Sequence, residues 1–261
     1  MLNRIEMGAP TGRPTLLIAH GLFGSARNWA AIQRRIAASR PTVAVDMRNH
    51  GLSPRAESQG YDDMAADLAA VAEATGAPVD LLGHSMGGKA AMQLALTRPE
   101  LIRRLVVADI APVAYGHSQS HLIAAMRTLD LATLGNRRDA DTALSRTIED
   151  PGLRAFLLQS LDLKSVPPAW RLNLDVLDRE MGRITGWPGT EGRFAGPALF
   201  VLGADSDYVR PEHRALIRAL FPRARIVKIP GAGHWLQADA PLAFQQTVEA
   251  FLDAPATGSA G

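Results

Sequence analysis

The chain contains no cysteine in its 261 residues. This absence excludes a disulfide framework, a thiolate metal site and a cysteine nucleophile. The first residues, Met1 to Met7, also contain no apolar segment of the length found in a signal peptide. Together these two absences make the cytoplasm the expected location.

Long apolar runs and lysine are also scarce. No window of the sequence approaches the roughly 20 apolar residues that a membrane-spanning helix needs, so no membrane span is expected. The lysines are Lys89, Lys164 and Lys228; the other basic residues are arginines interleaved with acids, and the net charge is +2. Without a basic stripe or a binding motif, nucleic acid is not an expected partner.

The composition is that of a globular protein, with 47% hydrophobic and 21% charged residues. The length suits one large α/β domain, and no Pro/Gly/Ser-rich linker divides the middle of the chain. Residues 254–261 carry no large apolar side chain, and we therefore predict a flexible tail there.

Short apolar runs alternate with amphipathic helical patterns along most of the chain. This alternation predicts a mostly parallel sheet with helices on both faces. The apolar runs lie at residues 16–19, 42–45, 79–82, 105–108, 198–202 and 225–229.

Residues 117–184 break this rhythm. They contain helical patterns at residues 122–134, 153–161 and 172–181 and no convincing strand. A helical insertion between two strands of such a sheet would lie over the carboxyl ends of the strands, where ligands bind. We predict a helical cap over the site; the alternative is a helical layer with only a packing role.

The most informative motif is Gly-His-Ser-Met-Gly at residues 83–87. It follows an apolar run and precedes a helical pattern from Met86 to about Thr97. A Gly-x-Ser-x-Gly between a strand and a helix is typical of a nucleophile elbow, in which small residues leave room for a sharply turned serine. Ser85 is therefore the predicted nucleophile.

A serine hydroxyl needs a base to take its proton, and the chain offers seven histidines. His234 lies in a glycine-rich loop directly after the last predicted strand, which is where this kind of fold places the base. The acid that orients the imidazole has two candidate loops. Asp109 follows one strand, and Asp205 and Asp207 follow the next.

An oxyanion hole needs two backbone N–H donors. Met86, at the start of the helix after the elbow, supplies one in this interpretation. The other is predicted in the loop at residues 20–24, at Leu22 or Phe23.

Five motifs together resemble the α/β-hydrolase superfamily, and within it the compact bacterial YbfF-type esterases and their mitochondrial relatives. They are residues 20–24 (HGLFG), 46–53 (DMRNHGLS), 83–89 (GHSMGGK), 109–113 (DIAPV) and 231–235 (GAGHW). The resemblance covers nearly the whole chain and is weakest through the predicted cap. It implies an α/β-hydrolase core at residues 1–116 and 185–253, with the cap, residues 117–184, inserted after the sixth strand.

The resemblance also implies a carboxylesterase that acts without a cofactor on short- to medium-chain acyl esters, a small-molecule substrate. In this subgroup the acid follows the earlier strand, which favours Asp109. Members tend to lack a carboxylate in the later loop, however, so Asp207 stays open as the alternative. The same triad also serves thioesterases, perhydrolases and acyltransferases, and some slow-turnover ligand-binding proteins keep this fold.

The expected acyl pocket is formed by Phe23, Leu122, Ile123 and Trp235. No metal site is expected, because His117 and His121 have helical spacing but no adjacent third ligand. We expect Arg48 and His50 to brace the loop beneath the site. The sequence leaves a monomer and a homodimer equally open.

Overall fold

A seven-stranded sheet lies at the centre of the computed structural model, which describes residues 1–255. The strands in chain order are β1 (Arg4–Met7), β2 (Leu16–Ala19), β3 (Thr42–Val45), β4 (Val79–His84), β5 (Ile102–Ala108), β6 (Leu161–Asp162), β7 (Ala169–Trp170), β8 (Ala198–Gly203) and β9 (Ala224–Ile229). The order across the central sheet is β1-β3-β2-β4-β5-β8-β9, and every neighbouring pair is parallel except β1 with β3. The predicted mostly parallel sheet is confirmed.

The helices follow the strands as parallel connections require. In chain order they are α1 (Ala30–Ile36), α2 (Tyr61–Ala74), α3 (Met86–Thr97), α4 (Ser120–Arg127), α5 (Arg137–Leu144), α6 (Pro151–Leu158), α7 (Leu174–Arg179), α8 (Met181–Thr185), α9 (His213–Leu220), α10 (Leu236–Asp239) and α11 (Pro241–Asp253), with short 3₁₀ turns at Ala26–Trp29 and Pro99–Leu101. Across residues 1–255, no helix has both the length and the apolar character needed to cross a membrane.

The core has two parts because helices cover both faces of the sheet. On one face, Trp29 and Ile32 from the α1 region and Phe244 and Val248 from α11 pack against the sheet. On the other face, apolar residues of α2, α3 and α9 pack together, and Leu68 is fully buried there. Five of the six predicted apolar runs form buried strands, β2, β3, β4, β5 and β8. The sixth, residues 225–229, lies in β9 at the edge of the sheet and is largely exposed or half-buried.

The strand β1 was not predicted from the sequence. Its residues, RIEM, mix charged and apolar side chains, and three of the four are half-buried. It lies at the edge of the sheet and pairs antiparallel with β3, Arg4 opposite Val45. An edge strand of this kind lacks the apolar run that marks a central parallel strand.

The segment predicted as a cap, residues 117–184, differs from the expectation in two ways. It follows β5, which is the fifth strand of this chain, whereas the prediction placed it after a sixth strand. Among the described residues only one strand, β1, precedes β2. It also contains a short antiparallel strand pair, β6 with β7, where no strand was expected and where the predicted helix at 153–161 ends early. We call residues 117–184 the insert. Of the predicted tail, residues 256–261 lie outside the described residues.

A buried network of charges connects the amino-terminal ends of the strands to the end of α11. Asp80, in β4, is fully buried, and its carboxylate contacts Arg40 Nη1 at 2.9 Å and also contacts Arg103. Arg40 in turn pairs with Asp253 in α11. Because Arg40 is itself only 1% exposed, its charge depends on these carboxylates for compensation.

We expect the substitution Asp80→Ala to lower the free energy of unfolding by about 3–5 kcal/mol, because it removes the buried carboxylate that compensates the charges of Arg40 and Arg103. Urea denaturation followed by circular dichroism measures the change. Asp205→Ala is the matched control, since Asp205 is exposed and its removal should change stability by less than about 0.5 kcal/mol. Equal stability of the two variants would contradict this account of the network.

Candidate active site

The predicted nucleophile, Ser85, sits in a sharp turn between β4 and α3. Its backbone is left-handed, with φ 52° and ψ −120°. This conformation costs energy for a non-glycine residue and is characteristic of functional turns. The flanking glycines allow it: a Cβ added at Gly83 would lie 2.2 Å from the carbonyl oxygen of Gly87, and one at Gly87 would lie 2.5 Å from that of Ala19.

The predicted base and one predicted acid are in contact. His234, in the loop after β9, places its Nδ1 2.8 Å from Oδ2 of Asp109, which directly follows β5. Asp109 is fully buried and has a positive φ of 49°. With Nδ1 hydrogen-bonded to the carboxylate, the other ring nitrogen of His234 is left for a proton transfer, and His234 and Ser85 line one cavity.

The carboxylate of Asp109 has two further hydrogen-bond donors. The backbone N–H of Gly203 donates to Oδ1 at 3.1 Å, and the hydroxyl of Ser206 donates to Oδ2 at 2.5 Å. Both donors come from the end of β8 and the loop that follows it. The sequence predicted only the aspartates of this loop as candidates. Ser206 was not predicted, because a single serine in a loop forms no recognisable motif.

The structure does not bring Asp207 to His234. The side chain of Asp207 is 82% exposed and lies 3.3 Å from Nη2 of Arg210. Asp205 is exposed as well. In this loop the side chain directed at the buried carboxylate of Asp109 is Ser206, which lies between the two aspartates.

Two aromatic rings hold the loop that carries His234. The ring of His84 lies 4.8 Å from that of His234, and its Nε2 donates to the backbone carbonyl of His234 at 2.8 Å. Burial, and secondarily the neighbouring His234, lowers the pKa of His84 to about 3, so His84 stays neutral. The ring of Tyr208 stacks on the imidazole of His234, with centroids 3.8 Å apart.

A second histidine, His50, is hydrogen-bonded to the predicted oxyanion loop, residues 20–24. The N–H of Phe23 donates to His50 Nε2 at 3.1 Å, and His50 Nδ1 donates to the carbonyl of Arg48. Burial lowers the pKa of His50 to about 3, which leaves Nε2 free to accept. This agrees with a bracing position for His50.

Because the N–H of Phe23 already donates to His50, it is not free to donate to an oxyanion. Within residues 1–255, by contrast, the N–H groups of Leu22 and Met86 have no hydrogen-bond acceptor. These two donors border the cavity that Ser85 lines. Leu22 and Met86 therefore fit an oxyanion hole better than the alternative, Phe23.

A cavity of about 370 Å³ opens beside Ser85 and His234. Of the predicted pocket residues, Phe23, Leu122 and Trp235 line it, but Ile123 does not. Ile123 is fully buried in the core instead, because consecutive residues of a helix point about 100° apart and α4 directs only Leu122 at the cavity. Lining residues that were not predicted include Trp29, Tyr61, Lys89, Tyr115, Phe156 and Tyr208.

Comparison with known proteins identifies the family of this chain. The model of the family described as alpha/beta hydrolase fold matches residues 14–241. The sn-1-specific diacylglycerol lipase ABHD11 of Mus musculus is 40% identical, over 92% of this chain and 81% of the relative. Esterase YbfF of Escherichia coli K12 is 37% identical, over 91% of this chain and 92% of the relative.

Among solved structures, one described as a marine microorganism esterase superposes with a TM-score of 0.91 at 36% identity, covering 96% of this chain and 98% of that one. The chain therefore belongs to the alpha/beta hydrolase fold family. The resemblance noted from the five sequence motifs is confirmed. The protein is an enzyme, a serine hydrolase.

We expect Gly83→Ala to destabilise the protein by about 3 kcal/mol, the upper end of the usual cost of overpacking, because its Cβ would meet backbone atoms of Gly87. The measurement is the urea midpoint, together with esterase activity of the folded fraction. Gly182→Ala is the control: it lies in α8 with no atom within 4 Å of the added Cβ, and alanine there should be neutral or stabilising. An unaffected Gly83→Ala protein would show that the elbow tolerates a side chain at this position.

Proposed function

We propose that the protein is a carboxylesterase that hydrolyses short- to medium-chain acyl esters through a triad of Ser85, His234 and Asp109. The observation that carries the proposal is the 2.8 Å contact between His234 Nδ1 and the Asp109 carboxylate, at the cavity that Ser85 lines. The relatives named as esterases and as a lipase support ester hydrolysis as the reaction.

In the first half of the reaction, Nε2 of His234 takes the proton of the Ser85 hydroxyl as its oxygen attacks the ester carbonyl. Asp109 holds the imidazole in the required tautomer and stabilises the imidazolium that forms. Negative charge develops on the carbonyl oxygen. The N–H groups of Leu22 and Met86 then stabilise it, and Met86 adds the positive end of the α3 helix dipole.

In the second half, the tetrahedral intermediate collapses and His234 passes its proton to the departing alcohol. The acyl group is then bonded to Ser85. A water molecule, deprotonated by His234, attacks this acyl-enzyme through the same sequence of steps, and the acid leaves. Because His84 is neutral and donates to the carbonyl of His234, it keeps the base in place without competing for the proton.

The size of the cavity supports the chain-length range that the family resemblance implies. Its volume of about 370 Å³ is near the lower end of the roughly 300–1,000 Å³ of ligand pockets, which favours small esters. We further propose that the insert, residues 117–184, is the cap of this cavity, since Leu122, Leu153, Phe156 and Ile184 all line it. These side chains supply much of its apolar wall.

We expect Ser85→Ala to lower kcat for p-nitrophenyl butyrate by roughly 10⁶-fold, because the nucleophile is removed. Release of p-nitrophenolate measures turnover, and circular dichroism checks that the fold is kept. Ser145→Ala, at an exposed serine of the insert, is the control and should retain full activity. Turnover by Ser85→Ala at the wild-type rate would exclude this nucleophile.

We expect Asp109→Asn to lower kcat by about 10⁴-fold, because an amide in place of the carboxylate stabilises the wrong imidazole tautomer. Asp207→Asn makes the same chemical change at an exposed position of the neighbouring loop and should leave kcat within about twofold of the wild type. The comparison uses p-nitrophenyl butyrate at saturating concentration. A larger loss for Asp207→Asn would reverse the assignment of the acid.

A further inference from the structure

A buried cation lines the cavity one helical turn beyond the proposed nucleophile. Lys89 lies in α3, and its backbone N–H donates to the carbonyl of Ser85 at 3.0 Å. Lys89 is therefore held one turn into α3 from the elbow residue. Lys89 is only 1% exposed, and it lines the same cavity as Ser85.

The charge of Lys89 has no counter-ion among the described residues. Its Nζ donates to the backbone carbonyls of Thr185 at 2.9 Å and Gly186 at 2.5 Å. It also lies over the rings of Tyr115, at 4.7 Å, and Tyr61, at 5.6 Å. Within residues 1–255 no carboxylate pairs with it, and no Asp or Glu is among the residues lining the cavity.

An uncompensated ammonium in this position is costly for the folded enzyme. Burial lowers the pKa of Lys89 to about 7, which reflects the loss of hydration. The neighbouring phenols supply no negative charge, because burial raises the pKa of both Tyr61 and Tyr115. An ammonium also has three N–H donors, and only two are used by the carbonyls.

Holding the end of the insert does not by itself explain a charge here. The hydroxyl of Tyr61 already donates to the carbonyl of Ile184 at 2.5 Å, and the N–H of Tyr115 donates to that of Thr185 at 2.9 Å. The hydroxyl of Tyr61 and the N–H of Tyr115 therefore hold residues 184–185 in place without the desolvation cost of an ammonium. A buried cation that has no counter-ion within residues 1–255, in a residue that lines the cavity, is better explained by an anionic group that enters the cavity.

We propose that Lys89 forms an anion subsite in the acyl cavity and that the preferred esters carry a carboxylate at the far end of the acyl chain. The chemical class is the monoester of a dicarboxylic acid. This inference rests on the proposed esterase function. Four residues of helix rise about 6 Å along the axis, and monoesters of four- to eight-carbon diacids sample lengths around this separation.

The test compares two methyl esters with the same number of acyl carbons, monomethyl adipate and methyl hexanoate. The ratio of their kcat/KM values measures the preference for the carboxylate. We expect the wild type to favour monomethyl adipate by about tenfold or more, as a charge-assisted hydrogen bond in a buried site would produce. Monomethyl succinate, glutarate and suberate then locate the length optimum.

Three variants distinguish the effect of the Lys89 charge from an effect of the substitution on the fold. Lys89→Gln keeps an N–H donor but removes the charge, and Lys89→Met removes both. Each should reduce the adipate-to-hexanoate ratio by about tenfold or more. Lys228→Met makes the same substitution at an exposed lysine of β9, outside the cavity, and should leave the ratio unchanged.

The pH dependence of the ratio gives a second readout. Effects of pH on the steps common to both esters cancel in the ratio, and the adipate carboxylate stays ionised above pH ~6. Because Lys89 is charged below its pKa of about 7, the wild-type preference should decline as the pH rises above that value. The titratable groups nearest Lys89 are Tyr61 and Tyr115. Around Tyr115 lie the rings of His117, Tyr208 and His213 and the charges of Asp109 and Arg210. The Lys89→Gln ratio should be flat over this range.

Binding to an inactive enzyme tests the subsite without turnover. Calorimetric titration of monomethyl adipate into Ser85→Ala should give a Kd at least about tenfold lower than into Ser85→Ala combined with Lys89→Gln. Equal Kd values, or an equal loss of kcat/KM for both esters in Lys89→Gln, would overturn the subsite. If the Kd contrast holds while the wild type hydrolyses no ester, the subsite stands and the proposed function falls.

Discussion

The close backbone packing around Ser85 is the constraint on which the rest of the site depends. The turn after β4 passes so near to the start of α3 and to β2 that only glycine fits at positions 83 and 87. This packing forces Ser85 into a left-handed conformation and directs the first N–H groups of α3 toward the same point. The nucleophile and one half of the proposed oxyanion hole therefore have a single structural origin.

The remaining groups reach Ser85 because parallel strands end at one edge of the sheet. Asp109 follows β5, Ser206 follows β8 and His234 follows β9, so three loops meet beside the turn after β4. Each of these loops contacts another loop. His84, for example, holds the backbone of His234 from the elbow itself. The proposed triad is thus supported by hydrogen bonds between neighbouring strand ends.

The sequence predicted the features that have a local pattern. The buried strands, the elbow at Ser85 and the position of His234 each follow from apolar runs, glycine spacing or chain order. Ser206 could not be found in this way, because its hydrogen bond to Asp109 joins residues far apart in the chain. The distinction between Leu122 and Ile123 depends on how α4 is rotated against the core, which tertiary packing decides. The edge strand β1 lacked an apolar run altogether.

The charged network of Arg40, Asp80 and Asp253 lies at the opposite end of the strands from the cavity. It ties the central strands to the terminal helix, whereas the insert contacts the sheet from the other end. Anchoring and chemistry are therefore spatially separated along each strand. A consequence is modularity. Substitutions in the insert can change the shape of the cavity, while the charged network continues to stabilise the sheet that carries Ser85.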